Sequence, residues 1–303
     1  MAFTTDSNYA GKAAGFYISA ALNQANSLEY LTMIENIKFK SNIQKMAGSS
    51  LVADAECNFT PAGTLALTEN VLTPKNLQIN LDLCKKTLLD SWEALQMRAG
   101  AGAPPPASFD DYVISYMGEI IANGVEGSVW SGTGATGGEF EGFLTATTGA
   151  FAVDGTVNTS TATAAYDADN IIANLQQLTS DMATDISAVL RKEDLHIYMS
   201  PKTYALYISA VSTLGYVNAY NMNGDYVPVF EGYKIAVCNG MPNNQLVAAE
   251  KSNLFFGTDL LSDQTRIALM DMAALDGSDN MRLVARYSGG VQLGIGADIV
   301  HQS

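Results

Sequence analysis

Apolar and polar residues alternate strictly along residues 77–84, where every second position is apolar: Leu77, Ile79, Leu81 and Leu83. Because successive side chains of a strand point to opposite faces, this period of two predicts a β-strand with one covered face. A shorter alternation begins at Ile37, and turn residues separate the two runs. The pattern predicts one long antiparallel β excursion over residues 34–86.

Three segments in the first half have helical spacing. Residues 9–33 carry many alanines but only a thin apolar stripe, which favours an arm lying on a neighbour over a core helix. A short helix is predicted over 87–98. A stronger one follows three prolines and runs from Ser108, its predicted N-cap, to about Trp130.

From Asp167 onward, helices and strands alternate. One helix is predicted over 171–182, and a second is opened by Ser200 as cap and Pro201 in the first turn. Period-two segments predict five strands, at 196–199, 233–238, 245–249, 267–272 and 281–287.

Glycine is unfavourable inside helices and strands, so the glycines within the predicted elements require an explanation. Gly118, Gly124 and Gly127 each destabilise the long helix by about 1 kcal/mol relative to alanine, so another backbone is expected to pack closely against them. Gly289 and Gly290 follow the last predicted strand and predict a bulge or turn there.

The charges are few and unevenly placed. Charged residues make up 16% of the 303-residue chain, well below the roughly 25% of typical soluble domains, which favours a surface buried against copies of itself. The net charge is −15, and no lysine or arginine lies between Arg98 and Arg191. Because nucleic-acid binding requires basic side chains, this composition argues against it and leaves a container open.

The cysteines and termini point to an intracellular product. Cys57, Cys84 and Cys238 are widely spaced and lack any CxxC or Cys/His cluster, which is typical of reduced, buried thiols. The sequence shows neither a signal peptide nor an apolar run that could cross a membrane.

No pattern carries recognisable chemistry. Gly132, Gly134 and Gly137 match a dinucleotide-binding motif, but a predicted helix precedes them instead of a strand, so they predict a turn. His196 lies in a predicted strand and His301 at an expected frayed C-terminus, and neither has the spacing of a metal or nucleophile site. The acidic residues of the middle third are scattered. We therefore predict no catalytic residue, no metal site and no cofactor.

Several stretches, taken in order, resemble the major capsid proteins of tailed bacteriophages, whose Hong Kong phage-type fold is shared with encapsulins. They are Ile120–Gly134 followed by Glu141–Leu144, Leu195–Tyr204, Gly232–Pro242 and Ser252–Leu260. Residues 57–63 and 80–84 are similar to extended-loop strands in capsid proteins of phages that infect Bacteroidetes-like hosts.

The resemblance implies an α+β capsid fold with four parts. These are an N-terminal arm (1–33), an extended β loop lying on a neighbouring subunit (34–86), a peripheral domain with a long spine helix (87–151 and 271–303), and an α/β axial domain (152–270). It implies no enzymatic activity.

The same resemblance implies the partners. Identical subunits would form hexamers and pentamers of an icosahedral head, made in the bacterial cytoplasm and found in the virion. A portal, a separate scaffolding protein and decoration proteins are further expected partners. The shell would enclose double-stranded DNA without specific binding and without a membrane.

The charge map suggests which residues meet between subunits. Residues 34–86 carry six lysines against five acidic residues, whereas the region of the long helix and its turn is purely acidic. Contacts are therefore expected between Lys38, Lys40, Lys45 and Lys75 on one side and Asp110, Glu119 and Glu126 on the other, with Tyr216 and Tyr220 as further contact residues. Two alternatives remain: an encapsulin-like compartment, or remotely a cytosolic enzyme with an unrecognised acidic site.

Overall fold

The computed structural model describes residues 26–49, 52, 54–55, 57, 63–84, 107–135, 137–214, 228–259, 266–273 and 277–303. The predicted helix over 87–98 and most of the predicted N-terminal arm lie outside these residues.

Four α-helices and thirteen strands form the described part. The helices are α1 (Ala107–Ser131), α2 (Ala150–Asp154), α3 (Ile171–Asp185) and α4 (Pro201–Thr213). The strands are β1 (Thr32–Ile34), β2 (Ser41–Ser49), β3 (Thr64–Leu72), β4 (Lys75–Cys84), β5 (Asn158–Ser160), β6 (Leu195–Met199), β7 (Val229–Phe230), β8 (Tyr233–Val237), β9 (Leu246–Glu250), β10 (Leu254–Gly257), β11 (Arg266–Asp271), β12 (Asn280–Leu293) and β13 (Val300–Gln302). Short 3₁₀ helices span Asn26–Tyr30, Lys251–Asn253 and Gly296–Asp298.

The first sheet is built around the 14-residue strand β12. Its first part lies between β4 and β11, both antiparallel to it, and its last residues pair with β10, which in turn pairs in parallel with β1. Along β4, Leu77 is buried and the next three alternate apolar side chains are half-buried, whereas Gln78 and Asn80 are exposed. The predicted alternation is confirmed.

The second sheet has the order β5-β13-β9-β6-β8-β7. Helix α3 covers it with an apolar stripe of fully buried residues, namely Ile171, Leu175, Leu178 and Met182. Helix α4 is capped by Ser200, whose Oγ accepts a hydrogen bond from the Thr203 amide at 3.2 Å. The helix and strand predictions for 171–250 are therefore confirmed.

An aromatic core joins α1 to both sheets. Trp130, at the end of α1, lies with its ring 5.6 Å from Phe143 and 5.6 Å from Tyr198 of β6. Phe140 packs against Phe256 of β10 at 6.1 Å. All five side chains are almost completely buried. The predicted long helix is confirmed, but it begins at Ala107, so Ser108 lies within the helix and is not its N-cap.

The close packing expected at the helix glycines is wrong for the described residues. Apart from the nearby backbone of the helix itself, no atom there lies within 4 Å of a Cβ built on Gly118 or Gly127, and Gly124 meets only the Tyr287 hydroxyl, at 3.9 Å. The tight approach occurs instead at Gly240, where a Cβ would lie 2.0 Å from the carbonyl oxygen of Glu126.

Two further predictions near the C-terminus are wrong. Strand β12 continues without a break through Gly289 and Gly290, which pair with Lys75 and Gly257. A Cβ on Gly289 would lie 2.9 Å from the Phe140 ring, so close packing explains this glycine. The C-terminus is not frayed, because His301 lies in β13 between β5 and β9.

The root of the arm also differs from its prediction. Residues 26–30 form a 3₁₀ helix and 32–34 a strand, so the expected helix does not reach Met33. Strand pairing crosses the expected limits. Strand β4 was expected in the excursion over 34–86 but pairs with β12 in the first sheet. Strands β10 and β11 also join β12 there, whereas β13 lies in the second sheet. The division into peripheral and axial domains stays a prediction.

Candidate functional site

The most unusual surface is the two-stranded sheet formed by β2 and β3, called the hairpin below. The two strands pair antiparallel from Ser41↔Leu72 to Ser49↔Thr64 and pair with no third strand among the described residues. An isolated two-stranded sheet is marginally stable in water, so the hairpin requires further support.

One side of the hairpin carries its exposed apolar side chains. Met46 lies directly opposite Leu67, and Leu65 and Val71 lie on the same face because they are separated from Leu67 by even numbers of residues. Leu65 and Leu67 are each 62% exposed, and Met46 is 66% exposed. We call Met46, Leu65, Leu67 and Val71 the apolar face. Large apolar side chains grouped in this way mark interaction surfaces more often than singly scattered ones.

The hairpin is rooted in the body by apolar packing. Leu72, at the end of β3, is fully buried, and Ile37 is nearly so. Both lie against Gly257 of β10, where a Cβ would come within 2.5 Å of Leu72 and 2.8 Å of Ile37. The Gln292 side chain donates a hydrogen bond to the Val71 carbonyl at 3.1 Å. The root of the hairpin is therefore fixed while its far end is exposed.

Polar groups form a second attachment at the root. Lys45 Nζ lies 2.9 Å from Asp154 Oδ2, and the Asn70 amide donates to the same oxygen at 3.1 Å. Asn70 also donates to the carbonyls of Leu293 at 3.0 Å and Gly294 at 3.2 Å. We call Lys45, Asn70 and Asp154 the root clamp.

The root clamp shifts the acidity of its carboxyl group. Burial alone would raise the pKa of Asp154, but hydrogen bonds from Thr156, Lys45 and Asn70, together with the positive charge of Lys45, hold the pKa below its usual value. Asp154 is therefore ionised at neutral pH, where it binds both strands of the hairpin.

The four lysines expected at subunit contacts have different surroundings. Lys38 Nζ lies 2.7 Å from Asp259 Oδ1, and Lys75 donates to the Gly134 carbonyl at 2.6 Å. Lys45 is largely covered and bound to Asp154 within its own chain, which corrects its expected role between subunits. Lys40 lies over the ring of the exposed Phe39 at 5.3 Å. Of the four lysines, Lys40 is therefore the one most available for a contact with another subunit.

The three acidic residues expected at subunit contacts also differ in their surroundings. Glu119 is exposed on α1, and Asp110 lies in its first turn. Glu126 is completely buried, so its expected inter-subunit role is wrong. Its carboxylate accepts hydrogen bonds from the Ser27 amide (3.1 Å), the Ser27 hydroxyl (2.5 Å) and the Gly240 amide (2.9 Å). Tyr216 and Tyr220 lie outside the described residues.

Glu126 instead holds the root of the N-terminal arm. Ser27 also accepts a hydrogen bond from Trp130 Nε1 at 2.7 Å. Asn26 donates to the Val237 carbonyl at 2.7 Å and accepts from the Asn239 amide at 3.0 Å. These contacts bind residues 26–27 to α1 and to the end of β8.

The described residues hold no group of three or more His, Cys, Asp or Glu side chains that could bind a metal ion. Desolvation lowers the pKa of both His196 and His301 below the ordinary histidine value, so both are neutral near pH 7. The segment from Gly132 is a turn closed by a bridge between Thr133 and Glu141, as predicted. Among the described helices, none is long and apolar enough to cross a membrane.

Sequence reasoning missed the apolar face, Asn70 and Asp154. The alternation of Leu65 and Leu67 with Thr64, Ala66 and Thr68 was a detectable signal of a strand. It does not tell which face is exposed, because that depends on where the hairpin meets the body.

No protein-family model matches the sequence, and no curated protein matches it. Solved structures do match over nearly the whole chain. The capsid of an empty GTA particle superposes with a TM-score of 0.62 at 14% identity, over 94% of this chain and 91% of that one. The capsid of Myoviridae phage XM1 gives 0.61 at 10% identity, over 99% and 98%.

A third match is a virus-like particle from Pyrococcus furiosus, with a TM-score of 0.50 at 10% identity over 91% of both chains. At these identities the likeness concerns the fold, which is the α+β fold inferred from the motifs above. This chain has the fold of the phage capsid proteins.

Proposed function

We propose that this chain is a structural subunit that assembles with identical copies into hexamers and pentamers of an icosahedral phage head. The likeness in fold to phage capsids over 94–99% of the chain supports this reading. The low charge content is consistent with a surface that is largely covered in an assembly.

The observation that carries the proposal is the hairpin with its exposed apolar face. Three large apolar side chains more than 60% exposed lie on one face of a sheet that extends from the body. A second copy covering this face would remove the apolar surface from water and support an otherwise marginal two-stranded sheet. The hairpin is thus the element that reaches a neighbouring subunit.

The proposed interior holds double-stranded DNA without binding it specifically. The acidic stretch between Arg98 and Arg191 has no cation to neutralise phosphates. The proposed role is non-enzymatic.

Further parts of the proposal follow from the phage reading. The partners besides identical subunits are a portal, a separate scaffolding protein and decoration proteins. The protein is made in the bacterial cytoplasm and ends in the virion. The parts 1–33, 34–86, 87–151 with 271–303, and 152–270 serve as arm, extended loop, peripheral domain and axial domain.

A second candidate is an encapsulin-like compartment shell, which the match to the Pyrococcus furiosus particle favours. Its TM-score of 0.50 is below the 0.62 and 0.61 of the two phage-type capsids. We therefore place the phage head first.

Electron microscopy of the purified protein, together with its co-expressed scaffold, separates the readings. Large icosahedral shells support the phage head, and small shells of uniform size support the compartment. A protein that stays monomeric at all concentrations and salt conditions, with or without the scaffold, refutes both.

A further inference from the structure

Three side chains from distant parts of the chain meet at the root of the hairpin. Lys45 comes from β2, Asn70 from β3 and Asp154 from the end of α2, and the sequence separations are 84 and 109 residues. Lys45 and Asn70 lie on the same side of the hairpin, which is the side opposite the apolar face. The root clamp therefore holds one side of the hairpin while the other side faces away from it.

The geometry of the clamp opposes rotation. Each strand contributes one donor, and both donors meet the same Asp154 oxygen, at 2.9 Å and 3.1 Å. Asn70 is held in addition by the Leu293 and Gly294 carbonyls. A swing of the hairpin about its root would therefore break contacts from both strands together.

Burial makes such a swing costly. The side chain of Asp154 is only 5% exposed and that of Lys45 only 17%. A swing would break an ion pair that lies largely out of water, where the attraction between opposite charges is stronger than at an exposed site. The exposed pair of Lys38 and Asp259, with Lys38 64% exposed, has no such penalty.

We propose that the root clamp fixes the direction of the hairpin in the free subunit, so that the apolar face is already aimed at the neighbouring copy before assembly. Lys45, Asn70 and Asp154 are then positioning residues that make no contact with the neighbour. This inference rests on the proposed function, because the aim matters only if a second copy receives the hairpin.

The test is Lys45→Met in the full chain, with Lys45→Arg as the conservative variant and Lys38→Met as the matched control from an exposed pair. Hydrogen exchange measured by mass spectrometry on the free subunit reports the hairpin and the core separately. Electron microscopy of the assembly reaction then reports the fraction and uniformity of closed shells.

For Lys45→Met we expect exchange at the hairpin root to accelerate on the order of a hundredfold, because one partner of a buried pair is lost. Exchange in β6 and β9 should be unchanged. Closed shells should fall about tenfold in yield, with open or irregular particles in their place. Lys45→Arg should restore both readouts, and Lys38→Met should leave exchange at the hairpin root unchanged.

Unchanged exchange in the Lys45→Met hairpin would overturn the clamp itself. Faster exchange with shells of normal yield and shape would overturn its positioning role. If the unaltered protein forms no shells, the proposed function fails, whereas the exchange data still decide whether the clamp holds the hairpin. If Lys45→Met also loosens β6 and β9, Asp154→Asn provides the second variant, and failure of both to act selectively on the hairpin refutes the proposal.

Discussion

Replacing Leu65 and Leu67 together by serine removes half of the apolar face without touching the hairpin root. Each side chain is 62% exposed in the subunit, and complete burial of a leucine is worth about 1.5 to 3 kcal/mol. Covering the exposed part on a neighbour is therefore worth about 1 to 2 kcal/mol per residue, and about 3 kcal/mol for the pair. Since each 1.4 kcal/mol is about a factor of ten in affinity, the double variant should need on the order of a hundredfold more protein to assemble.

The assay is light scattering over a concentration series, with electron microscopy to count closed shells. The free energy of unfolding of the subunit should change by only about 0.5 kcal/mol per substitution, because exposed side chains contribute little to folding. The matched control is Thr64→Ser with Thr68→Ser, on the same strand but on the opposite face. Assembly of the leucine variant at the concentration sufficient for the unaltered protein would refute the role of the apolar face.

Three further results are expected. The pKa of Asp154 lies below its usual value of 3.8, so the stabilisation from its ionised form is complete above that value and is lost as the pH falls through the lowered folded-state pKa. Hydrogen exchange at the hairpin root, corrected for intrinsic rates, should therefore be constant from about pH 5 to about pH 8. A loosening near pH 6 would contradict this. Of the three cysteines predicted to be buried, Cys57 and Cys84 are exposed and only Cys238 is buried. Maleimide should therefore modify Cys57 and Cys84 in the native subunit and spare Cys238, because burial raises the pKa of the Cys238 thiol to about 12. Modification of Cys238 at a rate similar to that of the other two would refute its burial. Glu126→Gln places an amide donor among the Ser27 and Gly240 donors that the carboxylate accepts from. It should therefore lower the free energy of unfolding by about 1 to 3 kcal/mol, measured in thermal or urea melts. An unchanged midpoint would show that the root of the arm does not depend on this carboxylate.

Local patterns were sufficient for the elements of the body. The alternation along β4 and the apolar stripe of α3 each depend on a single strand or helix and its one covered face, so periodicity predicts them. The cap at Ser200 is equally local, since its partner Thr203 is three residues away. The fold itself was expected from the resemblance of several stretches, taken in order, to phage capsid proteins.

The errors concern groups whose surroundings come from distant parts of the chain. Glu126 was expected on the surface, yet Ser27, from 99 residues earlier, covers it. Lys45 was expected to reach a neighbour, yet Asp154 binds it from 109 residues later. Gly289 was expected at a bulge or turn, but the ring of Phe140, from a distant part of the chain, packs so closely against it that only glycine fits. Charge counts along a sequence do not reveal such pairings.

The contact surface indicated by the structure is apolar, whereas the sequence indicated a charged one, and the reason is the same. Sequence reasoning placed it on lysines and carboxylates, whereas the structure groups three strongly exposed apolar side chains, Met46, Leu65 and Leu67, on one face of the hairpin. Exposed ion pairs contribute little to affinity, while burial of apolar surface is the main favourable contribution in most protein association. Lysines such as Lys40 remain suited to steering the encounter between subunits.

A single-particle reconstruction of the assembled protein, at a resolution that shows side chains, tests the central claim most directly. We expect closed shells in which Met46, Leu65 and Leu67 of each subunit lie buried on an adjacent copy, with Lys45 still bound to Asp154 of its own chain. A particle in which these three side chains face solvent, or a preparation containing only single subunits, would contradict the account.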